Sequence, residues 1–314
     1  MIRTPSEQAR TYRLTGAALT LALAIFVPGA STMADDADDT GLSIEDDKGY
    51  QLKADVVTNQ KVWGGVRVTA GAFPAIVGIT RAGNKQIQCT GTLIEPDLVV
   101  TAAHCVCASV TGTVVFGEFE RTPRTTVKVK AYTNALRACG GDLTDGADLG
   151  LLLLSSKSDV PPVEIQSDDV VQAAASYQVV GFGGFGVDNS GQLIAGEKRE
   201  TVVPSATNDC MGNLPKSARS YASAFGCASG NEIVAGKAGL GRDTCDGDSG
   251  GPLLTDSSGK GIAFGQSGSA LKIAGVTSRA TKSAKVPCGD GGVYVRLNAA
   301  ARNWITLASQ KLRQ

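Results

Sequence analysis

Histidine, aromatic residues and net charge are all scarce in this chain. Its 314 residues contain one histidine, and aromatic side chains make up 5% of them. Thirty basic and thirty acidic residues leave a formal net charge of zero. When the nine acids and six bases of the first 61 residues are set aside, 24 bases face 21 acids. A nucleic-acid-binding protein would need a clustered basic face, so the composition predicts no nucleic-acid partner.

Long hydrophobic runs are also scarce, and the one present lies near the N-terminus. Three arginines precede the apolar run from Leu14 to Val27, and small residues follow it up to Ala34. The run is shorter than the roughly 20 residues that a membrane-spanning helix needs. The pattern is typical of a secretory signal peptide, with an uncleaved anchor as the alternative. We predict a signal peptide at 1–34, a secreted protein (extracellular or periplasmic) and no membrane contact after signal removal.

Closely spaced metal ligands are nearly absent. Cys105 and Cys107, beside His104, are the only tight pair, whereas zinc sites usually need several such ligands. In an exported chain, eight cysteines favour four disulfide bonds. We therefore expect no metal and no cofactor.

The rest of the chain divides into an acidic segment and a region rich in short apolar runs. Residues 35–61 carry eight acids against three lysines and predict a solvated, loosely structured segment. From Val62 onward, β-rich runs alternate with turn residues, which favours a β-sandwich or a barrel. Asn298 is a candidate N-cap for a C-terminal amphipathic helix. The predicted strands are 75–80, 90–94, 98–102, 113–116, 126–130, 149–154, 177–180, 253–255, 272–277 and 292–296.

The stretch from Asp243 to Pro252 has the chemistry of a nucleophile loop. A hydrolytic serine needs a base beside it and backbone N–H donors aimed at the developing negative charge. Gly247, Gly250 and Gly251 flank Ser249 and would let a substrate carbonyl approach the N–H groups of Gly247 and Ser249. The alternative is an ordinary surface turn.

Two further residues complete a candidate catalytic set. His104 follows an apolar strand that we expect to run from Leu98 to Ala103, and imidazole is the side chain best suited to activate Ser249 near neutral pH. Asp148 directly precedes an apolar strand, where a carboxylate is costly unless it is paired. Asp142 and Asp145 are the alternatives, in a glycine-rich loop. We predict that Asp148 orients His104.

Taken in chain order, these motifs resemble trypsin-like serine endopeptidases of the chymotrypsin fold. The matching segments are Gly91–Ile94, Val99–Cys105, Asp148–Leu149, Gly247–Pro252, Gly292–Tyr294 and Asn303–Ile305. The resemblance implies an all-β fold of two packed six-stranded antiparallel β-barrels with a C-terminal α-helix. It also implies a protease domain over 62–314, with His104, Asp148 and Ser249 as a catalytic triad.

Two other motif readings fail on chain order and context. Gly247-x-Ser249-x-Gly251 also fits the nucleophile elbow of α/β-hydrolases, but no histidine follows Ser249. The segment from Gly181 to Gly186 fits a dinucleotide-binding fingerprint, but no helical pattern follows it, so we predict a loop at a strand end.

The resemblance further implies a zymogen and a basic specificity. Residues 35–61 would be a propeptide cleaved after Lys61, and the new ammonium of Val62 would pair with Asp248. Asp243 would lie at the base of a pocket for Arg or Lys, with Gly292 leaving the pocket open. Ser278 would form a wall residue. Arg279 and Ala280 depart from the family's usual Trp and Gly at the pocket rim.

By the same resemblance, Cys89 pairs with Cys105, Cys210 with Cys227 and Cys245 with Cys288. Cys107 and Cys139 then remain, either as a bridge or as free thiols. Expected partners are protein or peptide substrates and protein protease inhibitors, and we expect a monomer. The alternatives are a catalytically idle homologue that binds a protein, and a protease of altered primary specificity.

Overall fold

The structure is a computed structural model that describes residues 63–107, 112–136, 139, 142–259, 262 and 270–314. The predicted signal peptide, the predicted propeptide and Val62 lie outside the described residues. Within the described ranges, no helix is both long enough and apolar enough to cross a membrane.

Six antiparallel strands in the first half of the chain close into a barrel. After the short strand β1 (Val66–Arg67), the barrel strands follow one another around the ring in the order β2–β3–β4–β7–β6–β5. Every residue of β2 and β7 is buried, because their apolar side chains fill the barrel and its contact with the second half. The strands are β2 (Ile76–Thr80), β3 (Ile87–Glu95), β4 (Leu98–Thr101), β5 (Thr113–Phe116), β6 (Thr125–Asn134) and β7 (Gly150–Leu154).

A second antiparallel barrel is built from the other half. Its ring runs β11–β12–β15–β14–β13–β8 and closes through pairing of β8 with β11, while β1 adds to the outer edge of β11. A two-stranded hairpin projects from it. The strands are β8 (Ser176–Gly181), the hairpin β9 (Gly186–Val187) and β10 (Leu193–Ile194), β11 (Arg199–Thr207), β12 (Glu232–Ala235), β13 (Pro252–Thr255), β14 (Lys272–Ala280) and β15 (Gly292–Arg296).

The predicted all-β fold of two six-stranded antiparallel barrels is confirmed. The strand list was incomplete, because β11, β12 and the two-residue strands β1, β9 and β10 were missed. Arg199, Glu200 and Pro204 interrupt the apolar pattern of β11, although the two charged residues are buried. Arg199 bonds to the Gly65 carbonyl at 3.1 Å, and Glu200 contacts the amide of Gln178. A strand whose buried positions hold hydrogen-bonded polar residues does not show the apolar pattern by which strands are predicted.

The predicted C-terminal helix is confirmed, whereas the predicted position of His104 at a strand end is wrong. The C-terminal helix exists, with the Asn298 side chain accepting a hydrogen bond from the Ala301 N–H at 3.0 Å. Three shorter helices were not predicted, because five or six residues show no clear periodicity. His104 lies in the first of them and not at a strand end, since β4 stops at Thr101. The helices are α1 (Ala103–Cys107), α2 (Asp168–Ala173), α3 (Tyr221–Phe225) and α4 (Ala299–Leu312).

Four disulfide bonds connect the eight cysteines. The structure joins Cys89 to Cys105 and Cys107 to Cys139, which ties α1 to β3 and to the loop ahead of β7. Two more bridges, Cys210–Cys227 and Cys245–Cys288, lie in the second half of the chain. The last of these holds the start of the Ser249 loop against the segment before β15.

One lysine is buried where the two halves meet. Lys198 is 0% exposed, and its Nζ donates to the Phe73 carbonyl at 2.9 Å and lies 5.4 Å from the centre of the Phe182 ring. Burial lowers the pKa of Lys198 to about 8, against a smaller opposing effect of the Glu118 charge. Between pH 8 and the ordinary pKa of 10.5, the unfolded chain therefore binds more protons than the folded protein. Folding stability from this group rises with pH through that window.

We predict that Lys198→Met removes this rise. The wild-type free energy of unfolding should increase by about 3 kcal/mol between pH 8 and pH 10.5 relative to the variant, since one pKa unit corresponds to about 1.4 kcal/mol. Urea denaturation of both proteins at pH 8, 9, 10 and 10.5 measures the difference. An identical pH dependence in the two proteins would contradict the assignment.

Candidate active site

The loop that carries Ser249 is held tightly between the two barrels. Gly247 and Gly250 have φ values of 97° and 82°, a region that favours glycine. A Cβ on Gly250 would lie 2.0 Å from Thr101 Oγ1 and 2.4 Å from the Thr90 carbonyl, so no larger residue fits. The Gly250 N–H donates to the Thr277 carbonyl of β14 at 2.8 Å. The predicted nucleophile loop is therefore fixed by sterics and by the backbone of both halves.

His104 and Asp148 are joined by two hydrogen bonds. The Nδ1 of His104 lies 2.8 Å from Asp148 Oδ2, and the backbone N–H of His104 donates to Asp148 Oδ1 at 2.9 Å. The second bond uses one of the N–H groups left free in the first turn of α1. Ser278 adds a third donor, with its Oγ 2.7 Å from Asp148 Oδ2. A carboxylate that is 0% exposed thus receives three donors.

These donors determine the protonation state of Asp148. Burial acts to raise the pKa of this carboxyl, but the hydrogen bonds from His104 and Ser278 and the charge of His104 outweigh burial, so the pKa of Asp148 is lowered. Asp148 is ionised at neutral pH and presents a fixed negative charge to the imidazole. Asp142, the alternative considered from sequence, caps a short 3₁₀ helix by accepting from Thr144 at 2.8 Å and stays on the surface.

A pocket brings the imidazole and the serine together. Its volume is about 200 Å³, and its walls include His104, Ser249, Gly247 and the Cys89–Cys105 bridge. Arg81, Gln88 and Asp246 also line it. The residues predicted to act as base, nucleophile and oxyanion donor therefore share one cleft, with Asp148 behind the histidine.

A second buried acid lies below the serine loop. Asp243 Oδ1 accepts from the Tyr294 hydroxyl at 2.8 Å and from the Thr244 N–H at 2.7 Å. Within the described residues, no hydrogen bond of ordinary geometry reaches Oδ2. Burial raises the pKa of Asp243 to about 7. A Cβ on Gly236 would lie 2.5 Å from this oxygen, so glycine keeps the space in front of it open.

The predicted rim residues lie on β14 and β15. Ala280 pairs with Gly292 across these two strands, and a Cβ on Gly292 would lie 2.9 Å from the Tyr294 hydroxyl. Gly292 therefore lies beside the Tyr294 hydroxyl, which donates to Asp243, whereas the hydroxyl of Ser278 donates to Asp148. Tyr294 belongs to the Gly292–Tyr294 segment that matches the family, but the sequence does not indicate its bond to Asp243.

Asp248 is the third buried acid of this region. Its Oδ1 accepts from the Gly183 N–H at 2.8 Å and its Oδ2 from the Cys245 N–H at 2.9 Å. Burial raises the pKa of Asp248 to about 7, although both backbone donors act in the opposite direction. A Cβ on Gly183 would lie 2.5 Å from the carboxyl carbon of Asp248. The glycine-rich segment after β8 is a loop over residues 182–185, and Gly183 within it covers this carboxyl. The predicted loop was too long, because Gly186 already belongs to β9.

Comparison with known proteins identifies the family. A family model described as trypsin matches residues 62–305. The chain belongs to the trypsin family. Trypsin of Saccharopolyspora erythraea is 27% identical over 239 residues, which cover 75% of this chain and 93% of that protein. Trypsin delta of Drosophila erecta is 25% identical over 203 residues, covering 62% of this chain and 74% of that protein.

The solved structures agree on the fold. Neuropsin, a serine protease expressed in mouse brain, aligns with a TM-score of 0.57 at 20% identity and covers 78% of this chain and 98% of its own. The predicted family is confirmed, and the protein is a trypsin-like serine endopeptidase. Protein substrates follow from membership of the family.

Thr90 is a site residue of this protease that sequence analysis missed. It is 0% exposed on β3 of the first barrel. Its Oγ1 donates to the Gly247 carbonyl at 2.9 Å and accepts from the Phe182 N–H at 3.1 Å, and its own N–H donates to the Ser249 carbonyl at 2.9 Å. Thr90 stood inside an apolar strand pattern, and nothing in the sequence indicates which way its hydroxyl points.

Arg279 stood out in the sequence as a departure from the family, and the structure gives it partners. Its guanidinium forms a bidentate pair with Glu232, with N–O distances of 2.7 Å and 2.8 Å. Glu232 is 0% exposed on β12. Because 47 residues separate the two in sequence, no local motif indicates the pair.

No metal centre is supported within the described residues. The only group of candidate ligands found there is Cys89, His104 and Cys105, and both sulfurs belong to one disulfide bond. Glu118 and Glu120 accept from the backbone N–H groups of Gly71 and Ile87 at 2.9 Å and 3.0 Å. These two carboxylates hold loops.

We predict that the Thr90 hydroxyl controls the geometry of the serine loop. Thr90→Val keeps the side-chain shape but leaves the Gly247 carbonyl and the Phe182 N–H without their partner. We expect kcat to fall roughly tenfold with KM little changed, since loss of a whole oxyanion donor costs about 10²- to 10³-fold. Steady-state kinetics on a peptide amide measures the effect.

Thr92 provides a matched control on the same strand. It is equally buried, and its Oγ1 has no hydrogen-bond partner among the described residues. Thr92→Val should therefore retain wild-type kcat, and Thr90→Ser should retain most of it. Equal losses in the two valine variants would show that β3 packing matters and the Thr90 hydroxyl does not.

Proposed function

We propose that this trypsin-family endopeptidase hydrolyses peptide bonds after Arg or Lys through an acyl-enzyme. The observation that carries the specificity is Asp243, which is 1% exposed and has one carboxyl oxygen without a hydrogen-bond partner within the described residues. A buried carboxylate in that state gains most from a cation that reaches it, because the charge-assisted bonds form away from water. A substrate Arg or Lys side chain supplies that cation.

In the proposed mechanism, each group of the candidate site either transfers a proton or stabilises a charge. His104 takes the proton of the Ser249 hydroxyl as Oγ attacks the substrate carbonyl carbon, and the carbonyl oxygen becomes negative. The N–H groups of Gly247 and Ser249 stabilise this oxyanion. Asp148 holds the imidazole by Nδ1, so that Nε2 faces the serine, and it stabilises the imidazolium. His104 then protonates the leaving amine, and water cleaves the acyl-enzyme by the same steps in reverse.

We also propose export and activation of a precursor. Residues 1–34 would be removed as a signal peptide, 35–61 would be the propeptide, and 62–314 would be the protease domain. The described chain starts close to the Ser249 loop, because the Trp63 carbonyl accepts from the Asp243 N–H at 3.1 Å. A new ammonium on Val62 next to it would give the buried Asp248 carboxylate a cationic partner. Secretion is supported by the four disulfide bonds, which form in oxidising compartments.

Two alternatives remain as outcomes of the experiments. An idle homologue would bind proteins without turnover. A protease of altered specificity would cleave after residues other than Arg and Lys, and Arg279 and Ala280 at the rim are the departures that favour it. Protein inhibitors would occupy the same cleft as substrates, and a monomer suffices for the proposed chemistry because one chain supplies every group named.

We predict that Asp243→Asn removes the basic specificity and adds stability. We expect kcat/KM for an Arg amide to fall by about two to three orders of magnitude, because the substrate cation loses a buried partner. The Asp243 pKa of about 7 exceeds its ordinary value of 3.8. The folded protein therefore keeps a proton that the unfolded chain releases between about pH 4 and pH 7, and stability falls as pH rises through that range. The variant should gain thermal stability relative to wild type at pH 8.

Three substrates separate the outcomes of this test. Arg, Lys and Leu peptide amides are compared, and an uncharged acylating ester reports whether Ser249 still reacts. Unchanged Arg preference in Asp243→Asn would refute the assigned pocket. Absence of turnover by the processed wild-type protein, with Ser249→Ala as the blank, would favour the idle homologue.

We predict that Lys61→Gln blocks activation. The precursor should remain inactive and uncleaved, whereas wild-type protein should yield Val62 as its first residue by N-terminal sequencing. Lys53→Gln, another lysine of the same segment, should mature normally. A Ser249→Ala precursor that still matures when purified would show that a different protease performs the cleavage. Full activity of uncleaved Lys61→Gln protein would overturn the zymogen proposal.

A further inference from the structure

The hydrogen bonds of Asp148 extend beyond the three proposed catalytic residues to a charged pair on the second barrel. Ser278, which donates to Asp148 Oδ2, lies at an irregularity in the pairing of β14 with β15, between Thr277 and Arg279. The next residue, Arg279, donates from its guanidinium to Ser278 Oγ at 3.2 Å. A continuous path of hydrogen bonds therefore runs from Arg279 through Ser278 and Asp148 to His104.

The position of the Arg279 guanidinium is fixed from several sides. Both terminal nitrogens bond to Glu232, and one of them also donates to the Gly226 carbonyl at 2.7 Å. Glu232 in turn accepts from the Ala228 N–H at 2.7 Å. Planar bidentate pairing restricts a guanidinium in orientation as well as distance. The Arg279 side chain is 16% exposed, so solvent competes little for these bonds.

This fixed donor determines which way the Ser278 hydroxyl points. A serine hydroxyl carries one hydrogen and two lone pairs. Because one lone pair of Ser278 Oγ accepts from Arg279, the single hydrogen is directed to the strong acceptor within reach, Asp148 Oδ2. Without Arg279 the hydroxyl could rotate, and Asp148 would lose part of its third donor.

The charges near this path are few within the described residues. His104 faces Asp148 from α1, and Glu232 faces Arg279 from β12. The surface carboxylate of Asp142 also feels the Arg279 charge, as a small contribution after the Thr144 hydrogen bonds that lower the pKa of Asp142. Since Glu232 balances the charge of Arg279, the directed hydrogen bond is the main effect expected at Asp148.

We propose that Arg279 is a positioning residue of this protease, which acts through Ser278 to direct a hydrogen bond onto Asp148. The proposal rests on the proposed function, because it assumes that Asp148 and His104 serve Ser249. It assigns a role to the residue at which the chain departs from its family, together with its partner Glu232. Arg279 touches neither the substrate nor the reacting atoms in this role.

The test replaces Arg279 and Glu232 with uncharged side chains of similar size. Arg279→Met/Glu232→Gln removes the donor and both charges, and the amide can still accept from the Ala228 N–H. We expect kcat to fall about three- to tenfold with KM within about twofold, because a directed hydrogen bond to a charged group is lost. When the Ser278 hydroxyl donates less to Asp148, the negative charge of this carboxylate is less neutralised, and it stabilises the His104 imidazolium more. The midpoint of the acid limb of kcat/KM should therefore move to higher pH, by about half a unit.

A Ser278→Ala background identifies the route of the effect. If Arg279 acts through the hydroxyl, the Arg279→Met/Glu232→Gln change should produce no further shift of the acid limb there. The proposal would be overturned if the double change shifted the acid limb equally in the wild-type and the Ser278→Ala backgrounds. It would also be overturned if the double change left the acid limb of the otherwise wild-type protein unmoved. Arg302 and Asp168, paired at 2.6 Å on α4 and α2, give a matched control. Arg302→Met/Asp168→Asn should leave the acid limb in place.

The failure of this inference and the failure of the proposed function give different results. If wild-type protein shows no hydrolysis that depends on Ser249, the proposed protease function is contradicted. No pH profile of kcat/KM can then be compared between variants. If wild-type protein is active and the variant profiles coincide with it, only the role of Arg279 fails. Circular dichroism and thermal melting of each variant confirm that the kinetic comparison is made between folded proteins.

Discussion

The candidate active cleft depends on the contact between the two barrels around Thr90. Neither barrel alone holds the serine loop: β14 binds it from one side through Thr277, and Thr90 binds it from the other through two hydrogen bonds, to the carbonyls of Gly247 and Ser249. Gly250 is pressed so closely against the first barrel that a Cβ would overlap Thr101. Because close-packed interiors deform little, a shift of one barrel against the other would displace Ser249 and Gly247 together.

Three buried acids near the cleft differ in the number and charge of their donors. Asp148 has three donors, including the histidine, and its pKa is lowered. Within the described residues, the donors to Asp248 and Asp243 are backbone N–H groups and the Tyr294 hydroxyl, all of them neutral, so burial raises the pKa of each carboxyl to about 7. In the proposed function each of these two carboxyls receives a cation, Asp248 from the new N-terminus and Asp243 from the substrate.

Sequence predicts the parts of this protein whose constraints are local. The Ser249 loop needs adjacent glycines, Asp148 precedes a buried strand, and Asn298 caps α4, so all were found from neighbouring residues. The two barrels were expected through family resemblance, whereas strand patterns alone left a sandwich open. The strand β11 was missed because Arg199 and Glu200 find buried partners far away in sequence. His104 was expected at a strand end, because the helix that carries it is only five residues long.

The pair of Arg279 and Glu232 shows why departures from a family pattern need a structure. In the sequence, Arg279 shows only that a charged residue replaces the aromatic residue usual in the family. Burying a guanidinium alone would cost several kcal/mol, so a partner must exist. Glu232 lies one strand away across β15, where only the sheet order β12–β15–β14 brings it within reach. Once paired, the guanidinium has an N–H left for Ser278, which connects Arg279 through Ser278 and Asp148 to the proposed catalytic histidine.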